Sequence, residues 1–423
     1  MKLDNIKVAI FDSELRTNFF PLTLTRPTFD LHFGTSSLLH RVESRLGVKA
    51  DYLYVPDYLK MVVRENHISA KVNEPISQKC LVVNPLLGNS PELWKALEDA
   101  LSRNESAIFV DESGSTAFAL LDELRTEWVE KNFLKTGHPM RSILTEGESS
   151  VLLRHPWRLV DENSIEVARI YTSDKHGQTH LPSGPEIIGE KFSISPTAEI
   201  QRFVTLDSRN GPIIIQDNTR IESFTYLTGP CFIGKNVIIK SARLGHGSSV
   251  ADSSRVAGEV EQSIISEYTN KSHEGYVGHS FIGSWVNLGA LTTTSDLKNT
   301  YGEVKVSIDG KTVGTGSVKV GAYVADMAKT GIGSTITCGK SIGVSSHAMG
   351  NVQSNIPSFT MHSGTPRARE VEIYIDSAIE TQRRMMKRRG VAISEAYISM
   401  IKSVFKLTKN DRLRQRVSKG RFR

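Results

Sequence analysis

Cysteine is scarce: Cys80, Cys231 and Cys338 are the only three in 423 residues. An odd number, widely separated and without metal-ligand spacing, argues against a disulfide framework and against structural zinc. Long apolar runs are missing too. No stretch approaches the roughly 20 residues needed to cross a bilayer. The opening MKLDNIKVAIF sets Asp4 before a short apolar segment and has no cleavage pattern of a secretory leader. These absences predict a reduced, cytoplasmic setting without a membrane span. Nor does the composition, 39% hydrophobic and 23% charged, suggest long disordered spans. The net charge of +6 is uneven. Pro366–Arg423 holds sixteen Lys/Arg against six Asp/Glu, a surplus of ten that leaves the remaining chain at about −4. No aromatic stacking pattern or nucleic-acid motif accompanies that surplus, so a solvated basic tail is expected rather than nucleic-acid binding.

What is present is a repeat. Apolar residues recur at every sixth position at Ile188, Ile194 and Ile200, then at Ile215, Ile221, Leu227, Ile233 and Ile239. After a one-residue slip the step resumes at Leu244, Val250 and Val256; later come Ile282 and Leu288, then Ile332, Cys338 and Val344. Small residues often follow, as at Gly189, Gly234, Gly245, Gly283, Gly289, Gly333 and Gly339. Neither the period of a half-buried strand nor that of a helix fits. A six-residue unit instead forms one flat side of a triangular coil, with three units to a turn of about 18 residues. One aliphatic side chain per unit points inward and stacks on the coils above and below. The glycine that follows is expected at the corner, where unusual backbone angles are needed. Residues 188–360 are therefore expected to form a parallel β-helix. The step breaks around Asp296–Gly316, which reads as a loop or hairpin extruded on a binding face.

Residues 1–155 read differently. Strand-like runs at Lys7–Phe11, Asp51–Val55, Cys80–Val83 and Ala107–Val110 alternate with helices. The clearest helix is Ser90–Arg103, with Ser90 as cap and Pro91 at the first helical position. Such alternation predicts a parallel α/β (Rossmann-like) sheet with helices on both faces and ligands at the carboxyl ends of its strands. Residues 156–187 read as a linker helix. Residues 361–423 read as a short helical extension, with helices over Glu370–Gly390 and Ser394–Leu407 expected to cap the open end of the β-helix.

The segment FDSELRTNFFPLTLTRPTFDLHFGTSSLL resembles the opening of sugar-1-phosphate nucleotidyltransferases, with Pro21-Leu22-Thr23 and Thr25-Arg26-Pro27 on the family pattern. Where that family places glycines around the triphosphate, this chain has Ser13, Glu14, Leu15 and Arg16. The family arginine aligns with Asn18 and the lysine with Thr28, so the divergent, glycine-poor branch is the nearer match. The resemblance implies a sugar phosphate and a nucleotide triphosphate as ligands, with Arg16 and Arg26 as phosphate contacts. It also implies Mg²⁺ if this domain is active. The Mg²⁺ aspartate is expected after Cys80–Val83, where Asn84 stands, a weak ligand for a hard cation. HPWRLVDENSIEVARI is similar to the linker helix of bifunctional sugar nucleotidyltransferase/acetyltransferases, which implies that Trp157 packs between the domains.

SHEGYVGHSFIGSWVNLGALTTTSDLKN resembles the acetyltransferase centre of the N-acetylglucosamine-1-phosphate uridyltransferase/glucosamine-1-phosphate acetyltransferase family. His273, Tyr276, Gly278, Ile282, Gly283, Val286, Asn287, Gly289, Ala290 and Thr292 fall on its pattern. The family fold is a left-handed β-helix. The resemblance implies acetyl-CoA-dependent N-acetylation of an amino-sugar phosphate, in the synthesis of a nucleotide sugar of the UDP-N-acetylglucosamine type. His273 is then the general base, a task that suits an imidazole at neutral pH. Tyr276, Asn287, Asp296 and Lys298 would hold the acceptor, and Gly289 and Ala290 would lie along the cofactor. A neighbouring subunit supplies the coenzyme A surface in that family, which implies a homotrimer. Two departures bear on the substrate: Glu261 stands where the family has a phosphate-binding lysine, and Asp296-Leu297 replaces Asn-Tyr. The competing expectation is a non-catalytic trimeric regulator or scaffold that binds a sugar nucleotide.

Overall fold

A computed structural model describes residues 3, 5–12, 14–130, 137–145, 150–173, 183–365 and 370–420. Ser13 of the divergent loop, part of the linker span (174–182) and parts of the tail (366–369 and 421–423) lie outside the described residues.

The first strand, Lys7–Phe11, alternates between two cores: Val8 and Ile10 join one apolar cluster, Ala9 and Phe11 another. It pairs in parallel with Tyr52–Tyr54 and with Cys80–Val83, the central strand of a seven-stranded sheet. The sheet is mixed rather than wholly parallel. Thr116–Leu121 runs antiparallel to both Cys80–Val83 and Ala107–Val110. The cause is local: Asp111 Oδ1 accepts from the amides of Ser113 and Ser115, and Gly114 adopts φ +79°, so the chain turns straight back. The helix Pro91–Arg103 forms as its sequence requires, with the Ser90 side chain accepting from the Leu93 amide.

The carboxy-terminal half is a parallel β-helix with three inward columns. Leu206, Leu227, Leu244, Val260 and Val277 stack on one side. Ile194, Ile215, Ile233, Val250, Ile265 and Ile282 stack on the second. Ile221, Ile239 and Val256 stack on the third. Around Asp296–Gly316 the chain leaves the coil as an antiparallel hairpin, Lys305–Ile308 with Lys311–Gly314, and the coil closes again by pairing Phe281–Ile282 with Tyr323–Val324.

Two sequence expectations need correction here. The final register is not Ile332, Cys338 and Val344. Ile332 is 81% exposed, and the inward residues are Val324, Ile336, Ile342 and Ala348, two positions out of phase. Val344 is buried, but on the outside of the prism, in the cluster that also holds the amino-terminal core and the tail helices. The corners also differ. Gly189, Gly333 and Gly339 take left-handed angles (φ +91°, +70° and +69°), but Gly234, Gly245, Gly283 and Gly289 do not, and other left-handed positions carry Asn236, Ser253, Tyr268, Trp285 and Met327. Gly283 is needed for a different reason: a Cβ there would lie 2.8 Å from the Asp326 backbone nitrogen of the next coil. The register has a direct test by chemical denaturation. Ile265→Ala should lose about 2–5 kcal/mol, whereas Ile332→Ala should stay within about 0.5 kcal/mol of the parent.

The domains share one continuous core. The helix Pro156–Ser173 crosses the junction with Trp157 buried and stacked on His155 at 4.2 Å. Asn163 accepts from the Gly34 amide (2.8 Å) and donates to Gly247 O (2.9 Å) and Ser249 Oγ (2.8 Å). The tail helices Ile375–Lys387 and Glu395–Leu407 do not simply cap the prism. The second packs on Lys60–Asn66 of the amino-terminal domain, because its Ile398, Met400, Ile401 and Val404 face the shared core. The end of the prism is covered instead by the short strand Val371–Glu372, antiparallel to Thr360–His362, and by Arg412 between Phe359 and Phe405. No described helix is long and apolar enough to cross a membrane.

Candidate active site

Tyr276 lies on the strand Tyr276–Gly278, which pairs with Glu259–Glu261 of the preceding coil. Its hydroxyl donates to Asp296 Oδ2 at 2.8 Å and stands 3.3 Å from Glu261 Oε2. The same Asp296 oxygen is 2.7 Å from His279 Nδ1. His279 sits at a corner with φ +46° and is 6% exposed. The bond to the carboxylate fixes the orientation of the imidazole ring at that corner. The wall thus carries a hydrogen-bonded group of Tyr276, Asp296, His279 and Glu261, with the charges of Lys319 and Asp161 close by.

The group's electrostatics follow from its contacts. Burial alone would raise Asp296, but hydrogen bonds from His279 and Tyr276 and the charges of His279 and Lys319 outweigh it and hold the carboxyl below its usual range. Burial, then the bond to Asp296 and the two carboxylate charges, push the Tyr276 phenol up. A carboxyl depressed in the folded state adds stability above its unfolded pKa of about 3.9 and loses it as pH falls through the folded value. The stability gap between the parent and Asp296→Asn, measured by denaturation across pH, is therefore expected above about pH 4 and should shrink below it.

Tyr276 and Asp296 are thus brought together. His273 is exposed at the neighbouring edge, and its carbonyl accepts from Lys271 Nζ at 3.1 Å. Asn287 lies on another side, its Oδ1 accepting from Asn270 Nδ2 at 2.9 Å in a two-rung ladder. Gly289 and Ala290 follow at the corner, the Gly289 amide donating to Thr330 Oγ1. Lys298 donates to Glu303 O within its own loop. Arg16 bonds Asp12 Oδ2 (2.8 Å), Thr23 O (2.8 Å) and Tyr58 Oη (2.7 Å). Arg26 reaches across the domain junction to Asp326 Oδ2 (2.8 Å) and Ser284 Oγ (2.7 Å), so both guanidiniums are turned toward protein partners.

Asn84 is buried; its amide donates to Thr116 O and its oxygen accepts from the Leu86 amide. Neutral, and bonded both to its own turn and to the neighbouring strand, it does not fit a Mg²⁺ ion. Among the described residues no group of three or more His, Cys, Asp or Glu could hold a metal.

The residue passed over in the sequence is His279. The signal that finds it is coil length: Asp296 lies seventeen positions after His279, and Glu261 fifteen before Tyr276, each one coil away.

Residues 8–172 match the sugar nucleotidyl transferase family. The chain is 36% identical over 144 residues to a bifunctional sugar-1-phosphate nucleotidylyltransferase/acetyltransferase of Sulfurisphaera tokodaii, covering 31% of this chain and 34% of that protein. It is 31% identical over 162 residues to the bifunctional protein GlmU of Heliobacterium modesticaldum (36% and 32% covered). Against the GlmU of Paraburkholderia xenovorans it is 34% identical over 206 residues (40% and 45%). The matches thus span a third to less than half of the length of these relatives. The UDP-N-acetylglucosamine acyltransferase of Francisella novicida overlies 55% of this chain and 79% of its own at 16% identity, with a TM-score of 0.29, too loose a superposition to bear weight. The chain therefore carries a match to the sugar nucleotidyl transferase family over residues 8–172, and over part of its length it is similar to bifunctional nucleotidyltransferase/acetyltransferases.

Proposed function

We propose that this chain is a sugar-phosphate transferase of nucleotide-sugar synthesis. Its β-helix would transfer the acetyl group of acetyl-CoA to the amine of an amino-sugar phosphate, of the kind that leads to UDP-N-acetylglucosamine. The observation that carries this reading is the polar group on an otherwise stiff apolar prism: Tyr276, Asp296, His279 and Glu261 joined on one wall, with His273 exposed at its edge. In this reading His273 takes the amine proton as nitrogen attacks the thioester carbonyl. A C–N bond forms, the C–S bond breaks, and coenzyme A leaves as its thiol. Tyr276 and Asp296 hold the acceptor, Asn287 and Lys298 flank it, and Gly289 and Ala290 lie along the cofactor. Glu261 and Asp296 give that wall negative charge, which suits an incoming ammonium better than a phosphate placed directly against them. The acyl donor then lies between neighbouring copies of a homotrimer.

The amino-terminal domain supports its half of the reading less well. Nucleotidyl transfer needs phosphate contacts and a cation. Arg16 and Arg26 are committed to protein partners, and Asn84 does not fit the ion. That observation favours a second reading for this half: a sugar-nucleotide-binding regulatory or scaffold domain. Two assays on the purified full chain separate the readings. Release of coenzyme A thiol from acetyl-CoA with a hexosamine phosphate is expected; release of pyrophosphate from a nucleotide triphosphate with a sugar 1-phosphate tests the amino-terminal half. Silence in both would leave only the scaffold.

A further inference from the structure

Lys271 stands where an aliphatic side chain belongs. The six-residue step runs Ile265, Lys271, Val277, and in the third column Lys271 lies on Val256 and beneath Leu288. It is 2% exposed. An ammonium in an apolar column is expensive unless it is hydrogen-bonded, and two carbonyls meet it: Ala257 O at 2.5 Å and His273 O at 3.1 Å. Both belong to one edge of the prism, one coil apart. Gly258 follows Ala257 at φ +70° and Gly275 lies two residues after His273 at φ +130°, and at both the coils approach too closely for a Cβ, so this edge is backbone stacked on backbone.

We infer that Lys271 is a positioning residue: by tying the carbonyls of Ala257 and His273 from inside, it fixes the edge from which the His273 imidazole projects. This inference rests on the reading of His273 as the acetyl-transfer base. Replacing the ammonium by an apolar chain would leave the column filled and the edge untethered, so the effect should fall on placement of the base rather than on binding. The charged groups facing Lys271 are Glu274 on its own edge and Glu259 on the preceding coil. Burial lowers the lysine to about 8 against the opposing pull of these two carboxylates. The tether's charge is therefore present below about pH 8 and is lost above it.

The test uses the full-length protein with Lys271→Met, which keeps a flexible chain of similar volume in the column. Lys271→Gln keeps two N–H donors and serves as the conservative variant. Hydrogen exchange at the amides of residues 272–275 is read first, because it does not depend on activity. Faster exchange in Lys271→Met, partly restored in Lys271→Gln, is expected; parent-like exchange overturns the tether. Acetyl transfer is read second. In Lys271→Met, kcat should fall roughly tenfold or more with KM for acetyl-CoA little changed, and the alkaline limb of the parent's pH profile should be lost. A parent-like kcat and pH profile overturns the positioning role even if exchange has quickened. His273→Ala is the control: if it turns over like the parent, His273 is not the base, while the exchange result still decides whether the tether exists. Should Lys271→Met fail to fold, Lys271→Gln carries both readouts.

Discussion

His273→Ala should lower kcat for acetyl transfer by roughly 10²–10⁴-fold, the usual contribution of a positioned general base, while the protein unfolds at the parent's denaturant midpoint. The expectation of unchanged stability comes from the side chain's exposure: only its backbone carbonyl is tied into the fold. The contrast is His279, one coil side away. Its imidazole is 6% exposed and bonded to Asp296, so His279→Ala should destabilise the wall as well as disturb the acceptor group. Steady-state kinetics beside urea denaturation distinguish the two. A His273→Ala enzyme with parent kcat, alongside a folded His279→Asn enzyme without turnover, would move the base to His279.

Asp326→Ala should cost about 3–5 kcal/mol of stability, as expected when one partner of a buried ion pair is removed. Asp326 is 4% exposed and serves two donors besides the Arg26 guanidinium. Its Oδ1 accepts from the Ser284 amide (2.8 Å), and its Oδ2 from Thr25 Oγ1 (2.7 Å) and Arg26 Nη2 (2.8 Å). Without it, the Arg26 guanidinium keeps Ser284 Oγ and a more distant Glu267 carboxylate at 3.6 Å. Because Thr25 and Arg26 belong to the amino-terminal domain and Asp326 to the β-helix, the loss should also appear as separation of the two halves during thermal unfolding. One cooperative transition in the parent and two in the variant is the expected calorimetric outcome. An unchanged midpoint would mean that the domains hold together through the apolar seam alone.

Arg26 shows why a motif can be seen and its use missed. The Thr25-Arg26-Pro27 pattern is plain in the sequence, but its partners Ser284 and Asp326 lie some 260 and 300 residues away, on another domain. Nothing local announces them. The prism itself was legible, because a six-residue step with aliphatics such as Ile215, Ile221 and Leu227 has few other physical causes. Its phase after the hairpin was not. Ile332, Cys338 and Val344 keep the step as well as Ile336 and Ile342 do, and the true inward row includes the small Ala348. Which aliphatic row points inward depends on what covers the outside, and there Val344 joins the apolar core shared with the amino-terminal domain and the tail helices. The mixed sheet was hidden for a related reason: whether Thr116–Leu121 returns antiparallel is decided by the Asp111–Ser115 turn, not by the apolarity of the strand. At the site, Tyr276 and Asp296 could be named from the sequence, but their bond to each other could not. Lys271 could not be seen at all as a core residue, since a lysine reads as a surface residue until its coil position is known.

The most direct test is the structure of the protein with an amino-sugar phosphate and coenzyme A bound. The expected result places the acceptor nitrogen within hydrogen-bond reach of the His273 imidazole, the sugar against Tyr276 and Asp296, and the thiol end of the cofactor beside the Gly289–Ala290 corner. A sugar bound elsewhere, with that wall left to solvent, would contradict acetyl transfer on the β-helix.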